Sequence, residues 1–542
     1  MDTFDYIIVG AGSAGCVLAN RLTEDAQTQV LLLEAGGSDR HPFVQMPSAF
    51  SLPMNRKRFN WFYESEPEPG LGGRRMHCPR GKVLGGSSSI NGMVYIRGNP
   101  RDYDRWQSLG ADGWSYADVL PYFKKAEKVG FERADLTYRG NNGPLTVTRG
   151  AKRNPLYATF LQACQQAGFH SSDDLNGYQQ EGFGDFEMTV DNGIRCSTAR
   201  AYLDPVRGRP NLTIRTHAAA EKLCLRDQRA TGVTYLHRGG SVTVNARREV
   251  LLCAGAIASP QLLLLSGIGD PKQLQPHNIA TTHELPGVGR NLMDHLEIYF
   301  QQACTQPVSL NRWLSLAGKG LIGARWLLTR SGLGATNHFE VGGFARSGPG
   351  VPWPDIQFHF LPAAVSYDGT TIAAANGFQV HAGPMLSPSR GELQLRSADP
   401  GSKPLLNFNY MSQPEDWQVF RSAVRLARHL FAQPAFDEFR GAELLPGANI
   451  RSDEDIDAFV REYAQSAYHP CGTCRMGTGA DAVVDNHCRI HGLEALRVVD
   501  SSIFPHITNG NLTAPTIMVA EKAADLIRGH QLPPEPAAYF SA

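Results

Sequence analysis

Hydrophobic and polar positions set out the first element pair at the start of the chain. Tyr6-Ile7-Ile8-Val9 is an unbroken apolar run that stops at Gly10. Cys16, Val17, Leu18 and Leu22 then recur at helical spacing, and a second apolar run, Val30 to Leu33, ends in Glu34. The pattern predicts strand, tight turn, helix, strand and acid. Gly36 to Gly73 is Gly/Pro-rich and lacks periodicity, and loops of that length are usually functional. Further on, periodicity predicts amphipathic helices at Tyr116 to Ala126 and Pro155 to Ala167, and strands at Asn211 to Arg215 and Glu249 to Cys253. The middle of the chain holds strand-like stretches at Glu297 to Ala303, Ile356 to Phe360 and Glu392 to Arg396, and a long helix from Trp417 to Phe431. A strand, Leu496 to Asp500, again ends in an acid, and a helix with one apolar face runs from Thr516 to Arg528. No internal repeat or low-complexity segment interrupts this order.

Composition narrows the class. With 542 residues the chain is long enough for roughly three domains. It is 42% apolar and 19% charged, as a globular protein is, and its 52 Lys plus Arg balance its 52 Asp plus Glu. That balance speaks against nucleic acid as a partner and against a polybasic membrane anchor. The ten cysteines are scattered and read as reduced thiols. No apolar run of about eighteen residues predicts a membrane span. The first strand begins by Asp5, leaving no room for a leader peptide. The expected location is therefore cytoplasmic, with peripheral association at the inner face of a membrane left open.

Chemistry enters with the glycines. Gly10-x-Gly12-x-x-Gly15 lies between the first strand and helix. Gly10 permits the turn, Gly12 lets backbone N–H groups, with Ser13 and Ala14, approach a pyrophosphate, and Gly15 lets helix and strand pack closely. The helix N-terminus favours a phosphate. Glu34, followed by Ala35, stands where a carboxylate accepts ribose hydroxyls. This is a dinucleotide fingerprint, and by itself it does not separate NAD from FAD. A second small-residue cluster, Gly81 to Asn91 (GKVLGGSSSIN), fits a loop laid against a flat or phosphate-bearing cofactor.

Gly81-Lys82-x-Leu84-Gly85-Gly86-Ser87-Ser88-x-Ile90-Asn91, with Tyr95, Gly98 and Asp104 beyond it, resembles the first signature of the glucose–methanol–choline (GMC) family of FAD-dependent oxidoreductases. Gly255-Ala256-x-x-Ser259-Pro260-x-Leu262-Leu263-x-x-Ser266-Gly267-Ile268-Gly269 resembles its second. The resemblance covers essentially the whole chain. It implies an α/β (overall α+β) fold: a Rossmann-like FAD-binding domain with a discontinuous substrate-binding domain built on a six-stranded antiparallel sheet. The expected division is FAD domain over residues 1–160, 196–306 and 465–542, and substrate domain over 161–195 and 307–464. FAD displaces NAD as the expected cofactor. Its expected contacts, beyond the fingerprint, are Gly85, Gly86, Ser87, Asn91, Gly92, Met93, Val94, Ala220, Ala254, Gly255, Asp500, Asn511 and Thr513. Ile90 occupies the position where some oxidases of the family carry a histidine bonded to FAD, which implies non-covalent binding.

The resemblance also assigns the chemistry. His469, in Tyr468-His469-Pro470-Cys471-Gly472-Thr473-Cys474, matches the family histidine that faces flavin N5, and a neutral imidazole can accept a hydroxyl proton. Asn511 matches its His/Asn partner, whose amide can stabilise a developing alkoxide; Asn509 is a nearby rival. Cys471-x-x-Cys474 lacks a second pair at metal spacing and a thioredoxin-like context, so inert thiols are expected and no metal. Stretches such as FNWFYESEPEP, NHFEVGGF and YHPCGTCRMG are similar to the choline dehydrogenases of the family. That implies oxidation of choline to betaine aldehyde, and on to glycine betaine through the hydrated aldehyde, with a quinone or other membrane carrier as electron acceptor. Oxidation of aliphatic or aromatic primary alcohols, and non-redox lyase chemistry, remain alternatives. A trimethylammonium group needs aromatic faces and a carboxylate. The expected substrate contacts are Trp61, Phe360, Tyr468 and Glu340, with Glu297 a second candidate acid. Ala303 stands where the family's choline oxidases place a glutamate.

Overall fold

The computed structural model describes residues 2–132, 134–366 and 376–541. Two large sheets organise it. In the first, the strands run in the order Leu212–Arg215, Val30–Leu33, Thr3–Val9 and Gly240–Leu252, and all three of these pairings are parallel. Leu496–Val498 adds a further parallel strand beside Val250–Leu252. Tyr6 to Val9 and Val30 to Leu33 are all buried, which is why these strands read as continuous apolar runs rather than alternations. The long Gly240–Leu252 strand continues into an antiparallel meander with Arg229–His237 and Ala218–Arg226, which periodicity did not predict.

The second sheet is antiparallel, in the order Arg440–Leu445, Leu296–Cys304, Gly377–Pro384, Ile356–Leu361, Val341–Ala345 and Gly182–Asp185, with Gln465–Ser466 pairing the start of Leu296–Cys304. Residues 182–185 thus join this sheet from within the segment expected to visit the substrate domain. One expectation shifts: Leu296–Cys304, placed in the second stretch of the FAD domain, is an inner strand of the antiparallel sheet. The chain crosses between the sheets before Leu296 rather than at 306.

The faces of this second sheet decide the site. Ile298, Phe300, Phe358, Phe360, Phe378 and Val380 alternate with Tyr299, Gln301, Gln357, His359, Gln379 and His381 along three adjoining strands. The apolar face packs on the Pro414–Phe431 helix, with Phe378 and Phe431 ring centroids 5.2 Å apart. The polar face is turned to the first domain. Period-2 alternation therefore separates a core layer from a chemical one.

The long aperiodic stretch after Gly36 is not structureless. It holds short helices at Pro42–Gln45, Pro47–Ala49 and Ser51–Met54 and a strand at Tyr63–Glu64. The C-terminal helix, Thr513–Arg528, packs on the Ser13–Leu22 helix and returns the chain to the first sheet.

Candidate active site

A single cavity of about 630 Å³ reaches from the Gly10–Gly15 turn to His469 and Asn511. Gly10 adopts φ +99°, and a Cβ there would stand 2.6 Å from the Cys253 carbonyl oxygen. A Cβ on Gly86 would meet the Gly12 Cα at 2.6 Å. The two glycine-rich segments therefore close on each other with no room for side chains. Three helices open onto the cavity by their N-termini: Ser13–Leu22, Gly255–Leu265 and Thr513–Arg528. No side chain caps the first of these, which leaves its N–H groups for an anion. Glu34 accepts hydrogen bonds from the N–H groups of Ala11 (3.0 Å) and Gly36 (2.7 Å), and burial raises its carboxyl to about 7. These features fit a dinucleotide. Helix termini and small residues suit the pyrophosphate, and Glu34 suits the ribose.

Of the expected cofactor contacts, Gly10, Gly12, Ser13, Ala14, Glu34, Ala35, Gly86, Ser87, Asn91, Gly92, Met93, Val94, Ala220, Ala254, Gly255, Asp500, Asn511 and Thr513 all line the cavity. Gly15 and Gly85 do not. A Cβ on Gly15 would lie 1.9 Å from the Gly10 carbonyl oxygen, and Gly85 N–H donates to the Ala11 carbonyl, so both shape the cradle from behind. Asp500 caps the Gly255 helix, accepting from Gly255 N–H (2.8 Å) and Ser259 hydroxyl (2.6 Å).

At the other end, His469 is held from several sides. Its N–H donates to Asp294 (2.6 Å), whose carboxylate also accepts from the hydroxyls of Ser466 and Tyr410, each at 2.6 Å. Tyr468 sits at φ +66°, a conformation costly for a bulky residue, and Arg80 donates to its carbonyl. The His469 ring has two contacts: Nδ1 lies 3.0 Å from His295 Nδ1, and Nε2 lies 3.1 Å from Asn511 Nδ2.

These contacts fix the protons. His295 Nε2 is 3.0 Å from the Met385 carbonyl, which can only accept, so that nitrogen carries hydrogen. Burial pushes His295 down to about 4 and His469 well below the usual histidine range, so both rings are neutral at pH 7. A neutral His295 with hydrogen on Nε2 accepts at Nδ1. His469 must then donate from Nδ1 and carry its lone pair on Nε2, which accepts from the Asn511 amide. Gln357 Nε2 donates to Asn511 Oδ1 (3.3 Å) and holds that amide in the required orientation. The basic nitrogen therefore faces the cavity. Asn509, the rival, is fully buried and donates instead to Gln180 and the Pro354 carbonyl.

The expected substrate contacts divide. Trp61 and Tyr468 line the cavity, joined by Phe50 and Phe339. Phe360 does not. As the strand neighbour of His359 it points to the opposite face, stacked on Phe160 with centroids 4.5 Å apart. Glu340 does not either: its carboxylate accepts from Thr336 hydroxyl (2.7 Å) and Lys152 N–H (2.5 Å), and it packs against Gly150. Of the two candidate acids, Glu297 lines the cavity, with Oε1 3.1 Å from His381 Nδ1. Ala303 lies farther along the same strand, paired with Gly377 and packed on Gly441, away from the cavity. His295, His359 and His381 went unforeseen. His295 immediately precedes the Leu296–Cys304 strand, two residues before Glu297. His359 and His381 are direct cross-strand partners, a relation invisible before the pairing is known. All ten cysteines are free, and burial raises the Cys471 and Cys474 thiols. Among the described residues no cluster could hold a metal ion, and no helix is long and apolar enough to cross a membrane.

A Rossmann-like sheet joined to an antiparallel sheet, with a His–Asn pair at the far end of a dinucleotide cavity, defines a flavin-dependent oxidoreductase. The N-terminal model of GMC oxidoreductases matches residues 4–297 and the C-terminal model residues 387–520, and the chain belongs to this family. It is 55% identical over 533 residues to an oxygen-dependent choline dehydrogenase of Photobacterium profundum, covering 97% of this chain and 93% of that protein. A protein of the same name from Rhizobium etli is 56% identical over 530 residues, covering 97% and 96%. Among solved structures, the pyridoxine 4-oxidase of Mesorbium loti superposes with a TM-score of 0.88 at 32% identity, covering 98% of this chain and all of that one. The formate oxidase of Aspergillus oryzae, studied for its FAD modification, gives 0.91 at 26% identity, covering 97% and 98%. The chain is thus an FAD-dependent oxidoreductase acting on CH–OH groups.

Proposed function

We propose that the protein oxidises choline to betaine aldehyde. The observation that carries this reading is a carboxylate and aromatic faces in the same cavity as the base. Glu297, Trp61, Phe339 and Tyr468 line it together with His469 and Asn511. A carboxylate and ring faces recognise a quaternary ammonium, which offers no hydrogen bond. Gly10, Gly12, Glu34, Gly86, Ser87 and Asn91 would hold FAD, which would supply an acceptor for the alcohol's α-hydrogen as hydride.

The chain's own residues do the rest. The substrate hydroxyl enters between Asn511 and His469, accepting from the Asn511 amide and donating to His469 Nε2. As the C–H bond weakens, Nε2 takes the hydroxyl proton. The positive charge that develops on His469 is held by its Nδ1–H bond to His295. Asn511 stabilises the oxygen while it carries negative charge. Trp61 and Tyr63 line the same cavity as Glu297 and His359 of the antiparallel sheet. Ile90, on the cavity wall, offers no atom for a bond to the flavin, so FAD is held non-covalently. Carried one step further, the same site would oxidise the hydrated aldehyde to glycine betaine.

A quinone or other membrane carrier is the acceptor we propose. The relatives' names carry oxygen instead, and oxygen uptake on choline addition, compared with reduction of a quinone analogue, separates the two. The functional reading is tested by kcat/KM for choline against 3,3-dimethylbutan-1-ol, its uncharged isostere. Preference for choline supports it, whereas equal or better turnover of the neutral alcohol leaves a GMC alcohol oxidoreductase of another specificity.

A further inference from the structure

The helix Leu316–Thr329 leaves its most apolar face uncovered. Leu316 is 90% exposed, Leu321 64%, Leu327 54% and Leu328 85%. At about 100° per residue these leucines, with exposed Ala317 and Ala324, fall on one arc of about 140° that contains no charge. The opposite side anchors the helix: Gly318 and Trp326 are buried, and Trp326 Nε1–H donates to the Gly193 carbonyl (2.6 Å). Isolated exposed leucines need no explanation, but four on one helix face do.

Charge says what covers this face. From Ile298 to Phe339 the chain has no Asp or Glu and four cations, Arg312, Lys319, Arg325 and Arg330. Among the described residues none of these four is in an ion pair, although the protein as a whole carries no net charge. Lys319 and Arg325 are exposed and border the leucine arc on either side. An apolar arc flanked by unpaired cations is the profile of a helix that lies in a membrane interface, with side chains among acyl chains and cations at anionic headgroups. A second copy of this chain would bring the same cations against each other.

We propose that Leu316–Thr329 seats the protein on an anionic phospholipid bilayer. The helix adjoins the cavity wall. The segment after it, Gly332–Ala335, contacts Pro47–Ala49 beside Phe50, and Asn337 donates to the Gly92 carbonyl (2.8 Å). Phe50, Gly92 and Phe339 line the cavity, so a bilayer seat brings that side of the site toward lipid.

The test is flotation of the full-length flavoprotein with vesicles of about 30% phosphatidylglycerol in phosphatidylcholine, and with phosphatidylcholine alone. The wild type should float with the anionic vesicles. Leu321→Glu/Leu328→Glu should weaken that partition about 100-fold, the loss expected for two leucines kept in water. Lys319→Gln/Arg325→Gln should remove the preference for anionic lipid. Both variants should keep wild-type turnover with a soluble dye acceptor, which separates misfolding from lost docking. The proposal is overturned if the wild type does not float, if the leucine variant floats equally well, or if sedimentation shows a dimer that the leucine variant dissociates.

Discussion

Replacing His295 by leucine removes the acceptor for His469 Nδ1–H while leaving Glu297, Asn511 and the cofactor cradle in place. In the ground state this strips two buried hydrogen bonds, to His469 and to the Met385 carbonyl, each worth about 1 kcal/mol. In the transition state His469 is becoming an imidazolium, and a hydrogen bond to a charged group is worth about 1.5–3 kcal/mol. The neutral ring also loses one of the two contacts that set its tautomer, the relay from the Met385 carbonyl through His295, and keeps only the Asn511 amide at Nε2. We therefore expect kcat to fall about 10- to 100-fold, with KM for choline changed little because the cation's contacts are untouched. His295→Asn offers an oxygen near the Nδ1 position and should recover part of the loss. Steady-state kinetics with choline, and the flavin content of each variant, are the assay. If His295→Leu keeps full kcat, or if asparagine rescues no better than leucine, the proton assignment is wrong.

Other outcomes follow from the same geometry. His469→Ala should lower kcat by about 100-fold or more while flavin stays bound, checked by turnover and by the flavin spectrum. Glu297→Gln should lower kcat/KM for choline by about 100-fold and leave the uncharged isostere nearly unaffected; a parallel loss for both would remove Glu297 from cation recognition. Gly86→Ala puts a Cβ 2.6 Å from Gly12 Cα and should yield protein without flavin, measured as the flavin-to-protein absorbance ratio. Mild acid should cost the fold the contribution of its buried histidines. Burial holds His295, His338 and His359 at about 4 and His506 at about 3, so below about pH 6.5 the unfolded chain binds protons that the folded one refuses. The histidine contribution is present above about 6.5 and lost as pH falls toward 4, opposed by Glu34 and Asp102, which burial raises to about 7 and which gain protons in the folded state over the same range. His506→Gln should therefore make Tm fall less between about pH 7 and 5 than in the wild type, and an unchanged pH dependence would contradict it.

Much of the first domain was legible because its signals are local. Gly10, Gly12, Gly15 and Glu34 lie within a single βαβ unit, and each residue's role follows from its neighbours. The Gly81–Asn91 loop was legible for the same reason. The second domain was less so. The strands at Glu297 and Ile356 were readable as alternations, but which face met the cavity was not. Phe360 looked like a pocket aromatic by type, yet its neighbour His359 takes the cavity face and the alternation sends Phe360 into the core. Glu340 looked like a pocket acid because it follows His338 and Phe339, but its carboxylate closes a local turn with Thr336 and Lys152 N–H. Burial and cross-strand register decide such cases, and both depend on partners dozens of residues away. The His295–His469 contact spans 174 positions, beyond the reach of spacing arguments.

The central claim is that one cavity selects a cationic alcohol and deprotonates it for hydride transfer. Anaerobic stopped-flow reduction of the bound flavin tests it in a single turnover, free of the acceptor question. The account predicts that choline bleaches the flavin, with a half-saturating concentration well below that of 3,3-dimethylbutan-1-ol, and that Glu297→Gln erases the difference. A flavin left oxidised by choline, as a non-redox lyase would leave it, or reduced more readily by the neutral alcohol, would contradict it.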